Sequence, residues 1–441
     1  MSPAVELLRA MIRNQCVNDG TRGSGHEERS VRTLQEFFGV EGEVFEPAPG
    51  RQSLVYRVRG ADPEHPSIAL APHLDVVPAV TSGWSVDPFA AEVVGGVVYG
   101  RGAVDMLNIT AAMAVAARPY LRGEKTPPGD LVFCATADEE AGGTFGAQPL
   151  VRDHWDLVGV DYLLCEVAYP GLATDGHRSV PVSIGEKGAF WSILRAAGTP
   201  SHGSAPYGTD NAISKLVEAL AGIIGTPAPA DIDEVWAELV SSLPVDDDTK
   251  IRLVDLDAID RAIDDIAISD PNLARYVHAA THLTISANVL TGGAKTNVVA
   301  DEARAELDIR SLPGMDRRYV DTHLRKAMGA ASDEIRIDSV MDGDSTRSER
   351  DTPLWEAISA AVYDLEGHTD LVPVIMTVAT DARFWRARGT VAYGVGLFDD
   401  SMSFSEMLSL FHGHDERVST TSVDRTVALY ERVLDHFMAP G

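Results

Sequence analysis

Histidines and carboxylates in this sequence gather at the ends of apolar runs. The run Ser67-Ile68-Ala69-Leu70-Ala71 leads into His73 and Asp75. On a strand, residues two apart leave the same face, which suits a metal-binding imidazole and the carboxylate that orients it. Asp105 follows the glycine-bracketed Gly100-Arg101-Gly102. Leu131 to Thr136 is another apolar run, and it ends at Asp138-Glu139-Glu140. Tyr162-Leu163-Leu164-Cys165 ends at Glu166, and a late segment reads Phe411-His412-Gly413-His414-Asp415-Glu416. Imidazoles with carboxylates and no thiolates suit a pair of divalent ions such as zinc. Two such ions ~3.5–4 Å apart can share a bridging carboxylate. Adjacent Glu139 and Glu140 can divide labour, one as ligand and the other as general base. On residue type alone, His412 and His414 compete for the same role.

The elements that must position these groups alternate in kind. Met1 to Asn14 predicts an amphipathic helix rather than a signal peptide, because charged residues interrupt its apolar ones. Ser24-Gly25-His26-Glu27 predicts a capping box ahead of a second helix. Strands are expected near Val44, at Leu54 to Val58 and up to His73. Glu92 to Tyr99 predicts a hairpin turning at Gly95-Gly96. A small-residue helix is expected from Ile109 to Tyr120. Strands that alternate with helices, with polar residues at strand C-terminal ends, define an α/β unit whose site lies at that sheet edge. From Val180 the character changes. Exposed strands, a helix from Asn211 to Ile224, an acidic helical stretch from Pro227 to Ala280 and a helix from Arg317 to Met328 predict an inserted α+β unit. The acidic stretch carries no chemical cluster and reads as a solvated face. The expected division is residues 1–184 with 345–441 as one discontinuous catalytic domain and 185–344 as the insertion.

The 441 residues are 45% hydrophobic and 23% charged, with a net charge of −29. That balance repels phosphate backbones, so nucleic acid is not an expected partner. Cys16, Cys134 and Cys165 show no paired spacing, which predicts neither a disulfide framework nor a thiolate zinc site. No apolar run approaches the ~18 residues of a membrane span. The expected setting is the cytoplasm.

In these stretches the sequence resembles the M20 metallopeptidases, the group that includes carboxypeptidase G2, aminoacylase-1, acetylornithine deacetylase and succinyl-diaminopimelate desuccinylase. The resemblance runs through His73-Leu74-Asp75, Trp84 to Phe89, Gly100 to Met106 and Asp138-Glu139-Glu140. It continues through Gly185-Glu186-Lys187-Gly188, Ser201-His202-Gly203-Ser204, Asn297-Val298-Val299, Leu307-Asp308-Ile309-Arg310, Thr380-Asp381-Ala382-Arg383-Phe384 and His412 to Glu416. The resemblance implies that Asp105 bridges two metals, that His73 and Glu166 complete one site, and that Glu140 and His412 complete the other. It implies Glu139 as general base, Asp75 as the group orienting His73, and a cis peptide after Asp105. It further implies His202 as oxyanion support from the insertion, within or across a dimer, and Asn297, Arg310 and Arg383 as substrate contacts. For Arg383 an internal pairing is an equal reading, and Lys187 reads as structural. Leu107 departs from the lysine common in the family, outside the ligand set.

The fold so implied is a mixed-sheet, zinc-peptidase-like α/β domain with an inserted α+β lid and dimerisation domain. The implied activity is dinuclear metal-dependent hydrolysis of an amide beside a free carboxylate, in a peptide or N-acyl amino acid. Two Zn2+ are expected, with Co2+ or Mn2+ as alternatives, and a homodimer through the insertion. Dipeptidase or carboxypeptidase and N-acyl-amino-acid deacylase are not separated by these motifs, although Glu166 in place of aspartate leans towards deacylases. A binding protein that had lost the chemistry would lack a ligand or the base, and every one is present.

Overall fold

A computed structural model describes residues 1–174 and 177–439. A ten-stranded mixed sheet forms its larger part. At its centre four parallel strands lie side by side, in the order Leu131–Ala135, Ile68–Leu70, Tyr162–Cys165 and Val391–Gly394. Alternate residues of these strands enter two different cores, as the period of two requires. Ile68, Leu70, Leu131, Phe133 and Leu164 pack with helices Pro3–Asn14, Leu107–Leu121, Pro353–Glu366 and Thr420–Phe437. Ala69, Val132, Cys134, Leu163 and Cys165 pack on the other face, beneath Leu150, Val151 and Trp385. Both faces are covered, so these strands are apolar throughout.

The N-terminal helix forms as its pattern predicts. Ser2 caps it through Val5, Pro3 sits in the first turn, and Val5, Leu8, Met11 and Ile12 are buried. The expected capping box at Ser24 to Glu27 does not form. Helix Glu28–Phe38 has Glu27 at its N-cap with no side-chain bond. The Glu27 carboxylate turns inward instead and meets Arg51 at 2.6 Å. A buried contact with Arg51 has outcompeted the local cap.

The second sheet has five antiparallel strands. Glu302–Ser311 lies between Thr284–Gly292 and Ser192–Ala197, and Gly188–Ala189 extends the same strand's pairing. Its core contains Leu216 and Leu220 of helix Ala212–Gly225 and Val320 and Leu324 of helix Arg317–Met328. The acidic helical stretch packs elsewhere. Trp236, Leu239, Ile263, Leu273 and Val277 join Val372, Val374 and Met376 of the large sheet, together with Tyr169 and Phe404. A third sheet of three strands pairs Arg417–Ser419 with the Glu92–Val94 and Val97–Tyr99 hairpin. Gly95 and Gly96 both take positive φ at its turn, the conformation a two-residue hairpin loop of this type needs. That pairing carries the His412 segment to the Asp105 segment. No helix among the described residues is long and apolar enough to cross a membrane.

Candidate metal centre

Adjacent parallel strands lie ~4.8 Å apart, so the residues that follow their C-terminal ends converge. His73, Glu139 with Glu140, and Glu166 follow three neighbouring strands. The strand before His73 ends at Leu70, earlier than the sequence suggests, and His73 makes a single bridge to Thr136. Its Nδ1 lies 3.0 Å from the main-chain oxygen of Asp75 and 3.5 Å from the carboxylate. The Asp75 backbone therefore orients the ring. This leaves the carboxylate to accept the N–H groups of Glu139 and Glu140.

Asp105 lies between the two histidines. Its Oδ1 is 3.3 Å from His73 Nε2, and its Oδ2 is 3.3 Å from His412 Nε2. Glu166 Oε2 lies 3.4 Å from His73 Nε2, and Glu140 Oε2 lies 3.2 Å from His412 Nε2. Two donor atoms bound to one tetrahedral ion at 2.0–2.1 Å are about 3.3 Å apart. The donors are thus spaced for two ions, with one oxygen of Asp105 turned to each. Two groups of potential ligands, His73 with Glu139 and Glu166, and His73 with Asp105 and Glu140, each lie within 4.8 Å. Glu140 Oε1 is buried without a hydrogen-bond partner. Four clustered carboxylates with two imidazoles leave negative charge that burial makes costly, and cations relieve it. The residues fit a divalent pair.

The electrostatics agree. Burial raises the Glu139 carboxyl well above its ordinary range, and the Glu166 charge adds to this while His73 opposes it. Burial and Asp105 push Glu140 up to about 7 against the pull of His412. Burial also acts on Asp105, but His412 and His73 hold it below the carboxylate range. The His73 ring is disfavoured as a cation by burial, yet Glu166, Asp105 and Asp75 hold its pKa well above that of free imidazole. Peptide bonds Asp105–Met106 and Glu166–Val167 are cis.

Two supports were not read from the sequence. Glu416 is fully buried, pairs with Arg101 at 2.6 Å and accepts the N–H groups of Gly102, Val104 and Asp105. Arg101 also donates to the His412 carbonyl oxygen at 3.1 Å. Both residues stand in the motifs that carry the M20 resemblance, so the signal was available without an assigned role. Behind Asp75, Asn18 donates to its carboxylate at 2.8 Å, and Arg51 joins Asn18, Glu27 and Asp138 in one buried network. Nothing local in the sequence marks that network.

A cleft of about 840 Å3 opens over the centre, lined by Asp105, Glu139, Glu140, Glu166 and His412. Arg310 and Arg383 also line it. The Arg310 fork is engaged by Asp308, at 2.7 and 3.3 Å, and its guanidinium lies over the Trp191 ring. Arg383 donates to the carbonyl oxygens of Thr380 and Gly142. His202 and Asn297 sit elsewhere, exposed on two loops that pair with each other: His202 bridges Val298, and Gly203 donates to the Asn297 carbonyl oxygen. Neither lines the cleft of this single chain. His414 is exposed and lies beside Gly83, while His412 meets Asp105 and Glu140.

Comparison with known proteins places this geometry. The model of peptidase family M20/M25/M40 matches residues 69–436. Aminoacylase-1 of Pongo abelii is 28% identical, over 98% of this chain and 94% of its own length. A succinyl-diaminopimelate desuccinylase of Phenylobacterium zucineum is also 28% identical, over 99% and 98%. In fold the chain is similar to an M20 metallo-carboxypeptidase of Sulfolobus solfataricus, with a TM-score of 0.75, 16% identity and 99% of both chains covered. A di-peptidase of Saccharomyces cerevisiae matches with a TM-score of 0.70, 17% identity and coverage of 99% and 96%.

Proposed function

The chain belongs to peptidase family M20/M25/M40, and from that premise we propose that it is a two-zinc hydrolase of N-acyl amino acids or short peptides that carry a free carboxylate. The observation that carries this reading is the Asp105 carboxylate, with one oxygen turned to His73 and the other to His412. His73, Glu166 and Asp105 would hold one ion, and Asp105, Glu140 and His412 the other. When bound, the pair would polarise the scissile carbonyl and acidify a water. Glu139 takes the proton of the attacking water and delivers it to the leaving nitrogen. Its raised affinity for protons suits a base that must later act as an acid. Asp75 fixes the backbone of Glu139 and Glu140 during this exchange. Arg310 meets the substrate carboxylate with the nitrogen that Asp308 leaves open.

His202 and Asn297 complete the site from a second copy of the chain, and the unit is a homodimer through the five-stranded sheet. The support is their exposure on paired loops away from the cleft. In this reading residues 185–344 are the inserted lid, with the helices from Glu234 to Thr281 resting on the catalytic sheet. Three cysteines, all buried and unpaired, favour a cytoplasmic setting. Acyl amino acids rank ahead of dipeptides because aminoacylase-1 and the desuccinylase are 28% identical to this chain, against 16% and 17% for the carboxypeptidase and the di-peptidase.

The test is hydrolysis of matched N-acetyl amino acids, N-succinyl amino acids and dipeptides by zinc-loaded protein, beside a chelated sample and Glu139→Gln. Cleavage of acylated amino acids that is lost in both controls is expected. Cleavage that survives both would overturn the mechanism, and cleavage of dipeptides alone would make the protein a peptidase.

A further inference from the structure

One wall of the cleft is unused by the reaction above. Helix Pro271–Thr281 brings Asn272, Arg275, Tyr276 and Ala279 to it. These positions are spaced as i, i+3, i+4 and i+7, a single face of a helix. The helix is held at both ends. Asp270 caps its start by accepting from Leu273, and Lys187 donates to the carbonyl oxygens of Ala279 and His282 at its close, each at 2.7 Å. Leu273, Ala274 and Val277 are buried against the large sheet's core. The face presented to the cleft is therefore fixed.

That face carries an exposed cation, Arg275, and one buried hydroxyl without a partner, that of Tyr276. Of the three arginines lining the cleft, Arg310 is held by Asp308 and Arg383 by main-chain oxygens. Arg275 has no carboxylate partner among the described residues, and its one bond is a 3.4 Å contact to Asn272. The Tyr276 hydroxyl is buried and lacks a hydrogen-bond partner, in a residue only 4% exposed. A buried donor left unpaired is costly, and a ligand oxygen would satisfy it. Tyr169 and Phe411 supply aromatic surface between this wall and the metal ligands.

We propose that Arg275 and Tyr276 recognise a second carboxylate on the substrate, separated by a short apolar stretch from the scissile amide. The preferred substrates are then dicarboxylic: one carboxylate meets Arg310 and the other meets Arg275. Arg275 is a specificity residue with no part in bond breaking. This inference rests on the amide-hydrolase reading. The second carboxylate can end the acyl chain or belong to the amino-acid side chain, and both sources offer the same anion.

The experiment compares N-glutaryl-leucine, N-acetyl-glutamate and N-acetyl-leucine as substrates of the zinc-loaded protein and of Arg275→Gln. The readout is the ratio of kcat/KM for each dicarboxylate to that for N-acetyl-leucine. A charge-assisted bond lost from one substrate class lowers that ratio by roughly tenfold or more. Arg275→Lys restores part of it, and Tyr276→Phe lowers it less. The substrate whose ratio falls identifies the source of the anion. An unchanged ratio for both overturns the proposal. Calorimetric binding of the same three compounds to Glu139→Gln, with and without Arg275→Gln, separates this result from turnover. If wild-type protein cleaves no amide, the hydrolase reading fails. A binding preference for dicarboxylates that disappears with Arg275→Gln still supports the wall, and no preference overturns it.

Discussion

The carboxylate of Asp75 accepts the backbone N–H of Glu139, with Oδ1 at 3.2 Å from the nitrogen. Its other oxygen accepts the N–H of Glu140 at 3.1 Å, and Asn18 donates to that oxygen as well. One buried aspartate thus fixes the backbone from which both the base and a metal ligand project. Its backbone oxygen orients the His73 ring at the same time.

Asp75→Asn retains the size of the side chain but turns one acceptor into a donor facing an N–H. Groups that orient ligands in this way are worth ~10–100-fold in activity or metal affinity. The variant is expected to fold, with kcat reduced in that range. Unchanged turnover in a metal-replete variant would remove Asp75 from this role.

Glu139→Gln is expected to keep both metals and lose ~10²–10⁴ in kcat, the usual contribution of a positioned base. Metal analysis alongside kinetics decides the point. Loss of an ion from the variant would make Glu139 a ligand, as its closeness to His73 and Glu166 permits.

Glu416→Ala removes one partner of a buried ion pair and strands Arg101 with three backbone N–H groups. Breaking such a pair costs about 3–5 kcal/mol, measurable by denaturant unfolding. Because Arg101 also holds the His412 carbonyl oxygen, the variant is expected to bind its metals more weakly. Wild-type stability would show that this clamp is dispensable.

Glu27 gives a pH dependence. Burial and the nearby Asp75 push its carboxyl up to about 8, and Arg51 offsets this only in part. A carboxyl whose folded pKa is raised holds more protons in the folded state, so its contribution is complete below the ordinary range near 4.5 and is lost as pH rises through about 8. The Tm of chelated protein should fall across that window, and fall less in Glu27→Gln, which keeps an oxygen for Arg51. Parallel curves for the two proteins would show that Glu27 is not the group titrating.

Removal of metal should lower Tm, because ions bound only by the folded state stabilise it, by about 2.7 kcal/mol at a hundredfold excess over Kd. Reloading is expected to restore two ions per chain. His412→Ala should reload with fewer. Full occupancy without His412 would detach it from the centre.

The sequence by itself marked the candidate donors and placed His73, Glu139 with Glu140, and Glu166 after apolar strands. Apolar runs closing on His73, Glu139 and Glu166 were legible because period and composition are local. The hairpin at Gly95-Gly96 and the N-terminal helix were legible for the same reason. The Ser24 to Glu27 stretch misled, since a local cap signal says nothing about a distant Arg51 that competes for the same carboxylate.

Only the tertiary structure decided which oxygen of Asp105 faces which histidine. The Glu416 carboxylate reaches the Asp105 N–H from 311 positions away in the chain, through a strand pairing that no local pattern encodes. Tertiary packing also turned the acidic helical stretch, read as a solvated face, into a wall of the cleft. Its charged residues do face solvent, but its apolar stripe is recruited by Val372, Val374 and Met376. Amphipathic periodicity states that a helix has a face to bury. Which surface receives it depends on shape and burial across the whole fold, and there the placement of Arg275 and Tyr276 was settled.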